Sequence, residues 1–244
     1  MDTRSERYAL DVASALEALS GPRLVGVYLH GSAVLGGFDA RRSDVDVLAV
    51  HDGPMTAGRQ SAVAVALSEQ QLRCPARGLE LSIVTSESVR HPTARPPFEL
   101  HLTTAPQDTK TVDGHGHAGD PDLVLHLAVC RQAGRPLGSS RPAAEVFGPV
   151  ADDLVLAQLA AELRWGTGHA PAEYAVLNAC RAWRFATDGA LVSKIDGGRW
   201  ALGRVPPRDR QLIETALDRQ RCGPAATPDP LAVERFVRKI LRRW

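Results

Sequence analysis

The stretch "HGSAVLGGFDARRSDVD", residues 30–46, places two carboxylates on alternate residues a short loop after a Gly-Ser pair. On a β-strand, residues two apart project to one face, so Asp44 and Asp46 would aim at a single point while Val45 and Val47 pack behind them. Two like charges held together cost energy, a cost offset by a hard divalent cation; Mg²⁺ characteristically takes one or two carboxylates together with substrate phosphates. The preceding Gly31 and Ser32 suit that use, because a turn without a Cβ and with a hydroxyl lets backbone N–H groups approach a phosphate closely. A D-x-D pair alone is also common at the solvent edge of a strand. Gly-Ser followed roughly a dozen residues later by D-x-D is the more specific pattern, that of a metal-triphosphate cradle. A further carboxylate is expected from a neighbouring strand, and Glu80 in "LELSIV" fits, since Leu79 and Leu81 face the opposite way. In an in-line displacement assisted by two metal ions, Glu80 would accept the proton of the attacking hydroxyl.

These residues must be positioned by a chain of 244 residues with 44% hydrophobic and 23% charged side chains, enough to bury one large core or two small ones. Lys and Arg total 29 against 28 Asp and Glu, a formal charge of +1, so no whole-molecule field draws in nucleic acid or an anionic membrane. The opening segment, "MDTRSERYALDVASALEALS", is charged and helix-patterned with no long apolar run. The expectation is therefore a cytoplasmic protein with neither signal peptide nor membrane span, and with no nucleic-acid partner. Cys74, Cys130, Cys180 and Cys222 lack metal-ligand or CxxC spacing and read as small buried or free thiols.

The first half reads as helix (residues 6–19), strand ("RLVGVYL"), strand ("DVDVLAVH"), helix ("RQSAVAVALSEQQLR") and strand ("GLELSIVTS"), an order that implies a mixed sheet. Residues 91–121 form a Pro-, Thr-, Gly- and His-rich stretch with one strand-like piece, "FELHLT", and Asp120 and Pro121 read as the cap and first position of the next helix. His115 and His117 read as part of a surface loop rather than a metal site. Beyond Pro149 the pattern is helical. "DDLVLAQLAAELRWG", "AEYAVLNACRAWRFATDG", "PRDRQLIETALDRQRC" and "DPLAVERFVRKILRRW" are amphipathic and separated by Gly or Pro, as in a small bundle, and the last reads as a docked helix with Arg and Lys on its outer face. The expected class is α+β, a mixed-sheet domain over residues 1–149 followed by an α-helical domain over 150–244.

"YLHGSAVLGGFDARRSDVDVLAV", "LELSIV" followed by "FELHL", "DPDLVLHLA", "PAAEVFGPV", "VLNACRAW" and "DGALVSKIDGGRWAL" resemble the aminoglycoside adenylyltransferases that modify streptomycin and spectinomycin, within the nucleotidyltransferase superfamily. The resemblance runs from about Leu24 to Leu202. It implies transfer of AMP from ATP to a drug hydroxyl with Mg²⁺, two ions by expectation, in a monomer. It further implies Asp44, Asp46 and Glu80 as metal ligands, with Glu80 the base, and Ser32 and Ser43 as triphosphate contacts. Arg181 and Lys194 match the family's nucleotide-contacting cations, and Tyr174 falls where the family often has a nucleotide-contacting histidine. Taken alone, an Arg in an apolar helix and a Lys in a loop are more often salt-bridged or solvated. Where streptomycin-modifying members carry a tryptophan and an acid, this chain has Ala105 and Pro171, with Glu173 a nearby substitute for the acid; spectinomycin, or another small hydroxylated compound, is thus expected to be the better acceptor. Two rival readings are a nucleotidyltransferase acting on a protein, as in toxin-antitoxin pairs, and a non-catalytic nucleotide-binding regulator.

Overall fold

The computed structural model describes residues 1–222 and 226–243, and the chain divides into two compact units, residues 1–150 and 151–244. The first unit opens with α1 (Thr3–Ser20), started by the Asp2 carboxylate accepting the Arg4 and Ser5 N–H groups and stopped at Gly21, whose φ of 58° suits a residue without Cβ. Next come β1 (Leu24–Leu29), a single helical turn α2 (Ser32–Leu35), β2 (Val45–His51), α3 (Ala57–Ala66), β3 (Leu79–Thr85) and α4 (Ser86–Arg90). They are followed by β4 (Leu100–Thr103), β5 (Lys110–Asp113), α5 (Leu123–Ala133), β6 (Arg135–Leu137) and α6 (Ala143–Val146).

The strands form one sheet in the order β5-β4-β3-β2-β1-β6, with β2 and β3 parallel and the other pairs antiparallel. Alternation divides its faces. Val27, Leu29, Val45, Val47, Ala49, Leu79, Leu81 and Ile83 pack in one core cluster with α1 and α3, whereas Tyr28, Leu48, Val50 and Val84 pack with Leu123, Leu127 and Cys130 of α5 and with Phe147. Val45 and Val47 are wholly buried, and at about 1.5–3 kcal/mol for each buried aliphatic side chain they anchor β2 against sliding. By the same alternation Asp46 and Glu80 belong to the α5 face, one step before its apolar part begins.

Three local expectations are corrected. The helix after β2 ends at Ala66 with the buried Leu67 as its C-cap, and the remaining "LSEQQLR" turns instead of continuing. The next helix begins two residues later than expected, at Leu123 with Asp122 at its N-cap; Asp120 instead accepts the Asp122 N–H in a turn before it. Strands β5 and β6 had no legible pattern, since Lys110–Asp113 is largely exposed at the sheet edge and Arg135–Leu137 spans only three residues.

In the second unit α7 (Asp152–His169) is broken near its end by non-helical Thr167 and Gly168, the latter at φ 90°. There follow α8 (Ala172–Asp188), α9 (Lys194–Leu202), α10 (Pro207–Cys222) and α11 (Pro230–Leu241). Helix α8 is central: Ala175 through Cys180, Ala182 and Trp183 are buried, and α7, α9, α10 and α11 all pack on it. Val233, Phe236, Val237 and Ile240 form the buried stripe of α11. Cys74, Cys130 and Cys180 are buried free thiols, and the Cys222 side chain lies outside the described residues. Among the described residues no helix is long and apolar enough to cross a membrane.

Candidate active site

The parallel pairing of β2 with β3 sets Asp46 directly opposite Glu80, and Asp44 lies just before β2 on the same side. One oxygen from each of Asp44, Asp46 and Glu80 lies within 4.8 Å of the others, and these three form the one such cluster of potential metal ligands among the described residues. The Gly31 turn lies against Asp46. Its φ of 59° and the 3.3 Å donation from the Ser32 N–H to Asp46 Oδ2 bring the turn backbone so close that a Cβ on Gly31 would stand 1.8 Å from that oxygen. A glycine is therefore built into the wall of the site. Three hard oxygen donors under a backbone N–H suit a hard divalent cation such as Mg²⁺, together with phosphate oxygens.

Ser43 also has a local task. Its hydroxyl accepts the Asp39 N–H at 3.2 Å and its own N–H donates to the Asp39 carbonyl, closing the loop that delivers Asp44. Sequence reasoning missed Arg77, whose Nε and Nη2 donate to the two oxygens of Asp44 at 2.9 and 2.5 Å, and whose guanidinium that carboxylate holds still more firmly protonated. It also missed His126 on α5, whose Nε2 is 3.8 Å from Glu80 Oε1 and whose ring packs on that of His30. Burial, then the adjacent His126, drives the His30 pKa well below its ordinary value, so that ring is neutral. Farther along β3, Ser82 Oγ lies 2.9 Å from His101 Nδ1, and His101 Nε2 lies 3.2 Å from Asp120, which this histidine holds below the usual carboxylate range. The sequence signal for Arg77 was its position three residues before Glu80, usable only if β2 and β3 are known to run parallel.

In the second unit Lys194 is the first residue of α9 and not part of a loop, because the Ser193 hydroxyl caps that helix by accepting the Asp196 N–H. Gly197 packs against α8 so tightly that a Cβ there would lie 2.8 Å from Arg181 Cα, and one turn earlier Lys194 Nζ stands 4.2 Å over the Tyr174 ring. Arg181 is partly buried and donates to Glu162 of α7 at 3.0 Å. Glu173, the nearest acid to Pro171, is held by Arg219 of α10 at 3.0 Å. Ala105 is buried against Gly78, and Pro171 is the exposed N-cap of α8.

A sequence model of the aminoglycoside adenylyltransferase C-terminal domain matches residues 145–243. A spectinomycin 9-adenylyltransferase of Staphylococcus aureus is 24% identical over 225 residues, covering 85% of this chain and 82% of the relative. The chain is thus similar to aminoglycoside adenylyltransferases, over residues 145–243 by the family model and over 85% of its length by the relative. The fold is also similar to that of the spectinomycin adenyltransferase AAD(9) from Enterococcus faecialis, solved with ATP and spectinomycin. The TM-score is 0.79 at 16% identity, over 98% of this chain and all of the other.

Proposed function

We propose that this protein transfers AMP from ATP to a hydroxyl of an aminocyclitol of the spectinomycin type, so conferring resistance to it. The observation that carries the reading is the convergence of Asp44, Asp46 and Glu80 beside the Gly31–Ser32 turn, in a chain whose relatives are named for spectinomycin adenylylation. Asp44, Asp46 and Glu80 would hold Mg²⁺, which when bound lowers the cost of charge at the attacking and leaving oxygens. Gly31 and the Ser32 N–H let the triphosphate approach without a side chain in the way. Glu80, its side chain 41% exposed and so open to an incoming substrate, accepts the proton of the drug hydroxyl as that oxygen attacks the α-phosphorus and pyrophosphate leaves. Arg181, Lys194 and Tyr174 are assigned to the nucleotide, the first two on their charge and the ring because it holds Lys194 in place. Ser32 and Ser43 are assigned to the triphosphate, and Ser43 also shapes the loop before Asp44.

Pyrophosphate release with Mg-ATP should be rapid with spectinomycin and weak with streptomycin, since neither Ala105 nor Pro171 offers an aromatic face or an acid, and Glu173 is already paired. Efficient streptomycin turnover with none of spectinomycin would reverse the substrate assignment. Glu80→Gln removes the proton acceptor while keeping the side-chain shape. Its kcat is expected to fall roughly 10²–10⁴-fold with ATP affinity little changed; turnover near the wild-type rate would show that another group takes the proton.

A further inference from the structure

We infer that Arg77 is a resident counter-ion of the carboxylate site, released only when the phosphates of a nucleotide arrive to receive its guanidinium. The protein thereby discriminates against a divalent cation that comes without nucleotide. This rests on the metal-binding reading of Asp44, Asp46 and Glu80 given above.

Three formal negative charges lie within 4.8 Å of one another, and Arg77 faces them from the residues just before β3. Its fork occupies both oxygens of Asp44, and Glu80 and Asp108 are the further acids whose charge it feels. The burial of the two partners is unequal. The Asp44 side chain is 9% exposed and fixed at the start of β2, whereas Arg77 is 49% exposed on a long flexible stem. The guanidinium is therefore the partner that can swing away into solvent. The backbone around it stays fixed, because the Arg77 N–H donates to the Ser43 carbonyl at 3.2 Å and the Val45 N–H to the Gly78 carbonyl at 2.8 Å.

A cation entering by itself must break two charge-assisted hydrogen bonds and leave an arginine beside a second positive charge. A nucleotide that enters with the cation brings phosphate oxygens, for which an arginine fork is a fitting bidentate partner. Cation binding and nucleotide binding are thus coupled through one side chain, and the coupling is reciprocal.

The test compares Mn²⁺ binding, followed by electron paramagnetic resonance, to the wild type, Arg77→Gln and Arg77→Lys, with and without a non-hydrolysable ATP analogue. Without nucleotide, Arg77→Gln is expected to bind Mn²⁺ roughly tenfold or more tighter than the wild type. Arg77→Lys, which keeps the charge and loses the fork, should fall between them, and it carries the test should the glutamine variant fail to fold. With the analogue present the order should close up or invert, as the variants lose a phosphate partner. Equal or weaker Mn²⁺ affinity of the variants without nucleotide would overturn the counter-ion role while leaving the carboxylate site intact. Failure of every protein, wild type with the analogue included, to take up Mn²⁺ would overturn the metal-site reading itself.

Discussion

Asp46→Asn is expected to lower the rate of pyrophosphate release on the order of 10³-fold without lowering the thermal midpoint of the protein. The size follows from loss of a charged group aimed at a reacting phosphate, where even one misdirected donor costs 10²–10³. The preserved stability follows from how Asp46 is held. Its carbonyl accepts the His30 N–H at 3.0 Å and its neighbours Val45 and Val47 are wholly buried, neither of which depends on the carboxylate charge, and an asparagine Oδ1 can still accept the Ser32 N–H. Removing one of three acids that crowd within 4.8 Å relieves repulsion, so the variant should melt at or above the wild-type temperature. Asp44→Asn should be as inactive but less neutral in stability, because it weakens the pair with Arg77. Stopped-flow pyrophosphate release and a calorimetric melt measure both quantities, and an Asp46→Asn enzyme within tenfold of the wild type would remove Asp46 from the reacting centre.

Gly31→Ala is the second large effect, and it reaches the site from the backbone. At φ 59° and ψ −139° the position lies where L side chains rarely sit, a strain of about 1–3 kcal/mol by itself. The added methyl would stand 1.8 Å from Asp46 Oδ2 and 2.7 Å from Cγ, so the carboxylate or the turn must move by an ångström or more. Displacement on that scale is expected to cost at least about 10² in kcat. Gly21→Ala separates strain from displacement. Its φ is 58° and a Cβ there meets nothing within 4 Å, so it should lower the melting temperature comparably while sparing turnover. Equal loss of activity in both variants would mean that the Gly31 effect is one of stability alone.

What could be read from the residues was whatever depends on type and on short-range spacing. The D-x-D period places Asp44 and Asp46 on one side because the side-chain period of a strand is two, whatever the strand pairs with. Glu80 stood out because Leu79 and Leu81 must be buried, which turns the acid between them to the other face. The bundle helices could be read from their amphipathic stripes, whereas Lys194 was misplaced in a loop because "KIDGGRWAL" carries two glycines that look like a break. Those glycines let α9 lie almost touching α8 at Arg181 and Leu177, and α10 at Leu217.

Only the tertiary structure decided which partners the carboxylates meet. Residue order does not say whether β2 and β3 run parallel, since direction is set by how the connecting α3 packs and by which faces bury best. Once parallel, Asp46 stands opposite Glu80 and Arg77 arrives beside Asp44, contacts made across separations of about three dozen residues that leave no local periodicity. His126 reaches Glu80 from α5, a helix whose start was misjudged by two residues, and no pattern along the chain distinguishes a histidine facing an acid from one facing solvent. Spacing along one element is fixed by covalent geometry and is legible, whereas contact between elements is fixed by the burial of the whole chain and exists only once it has folded.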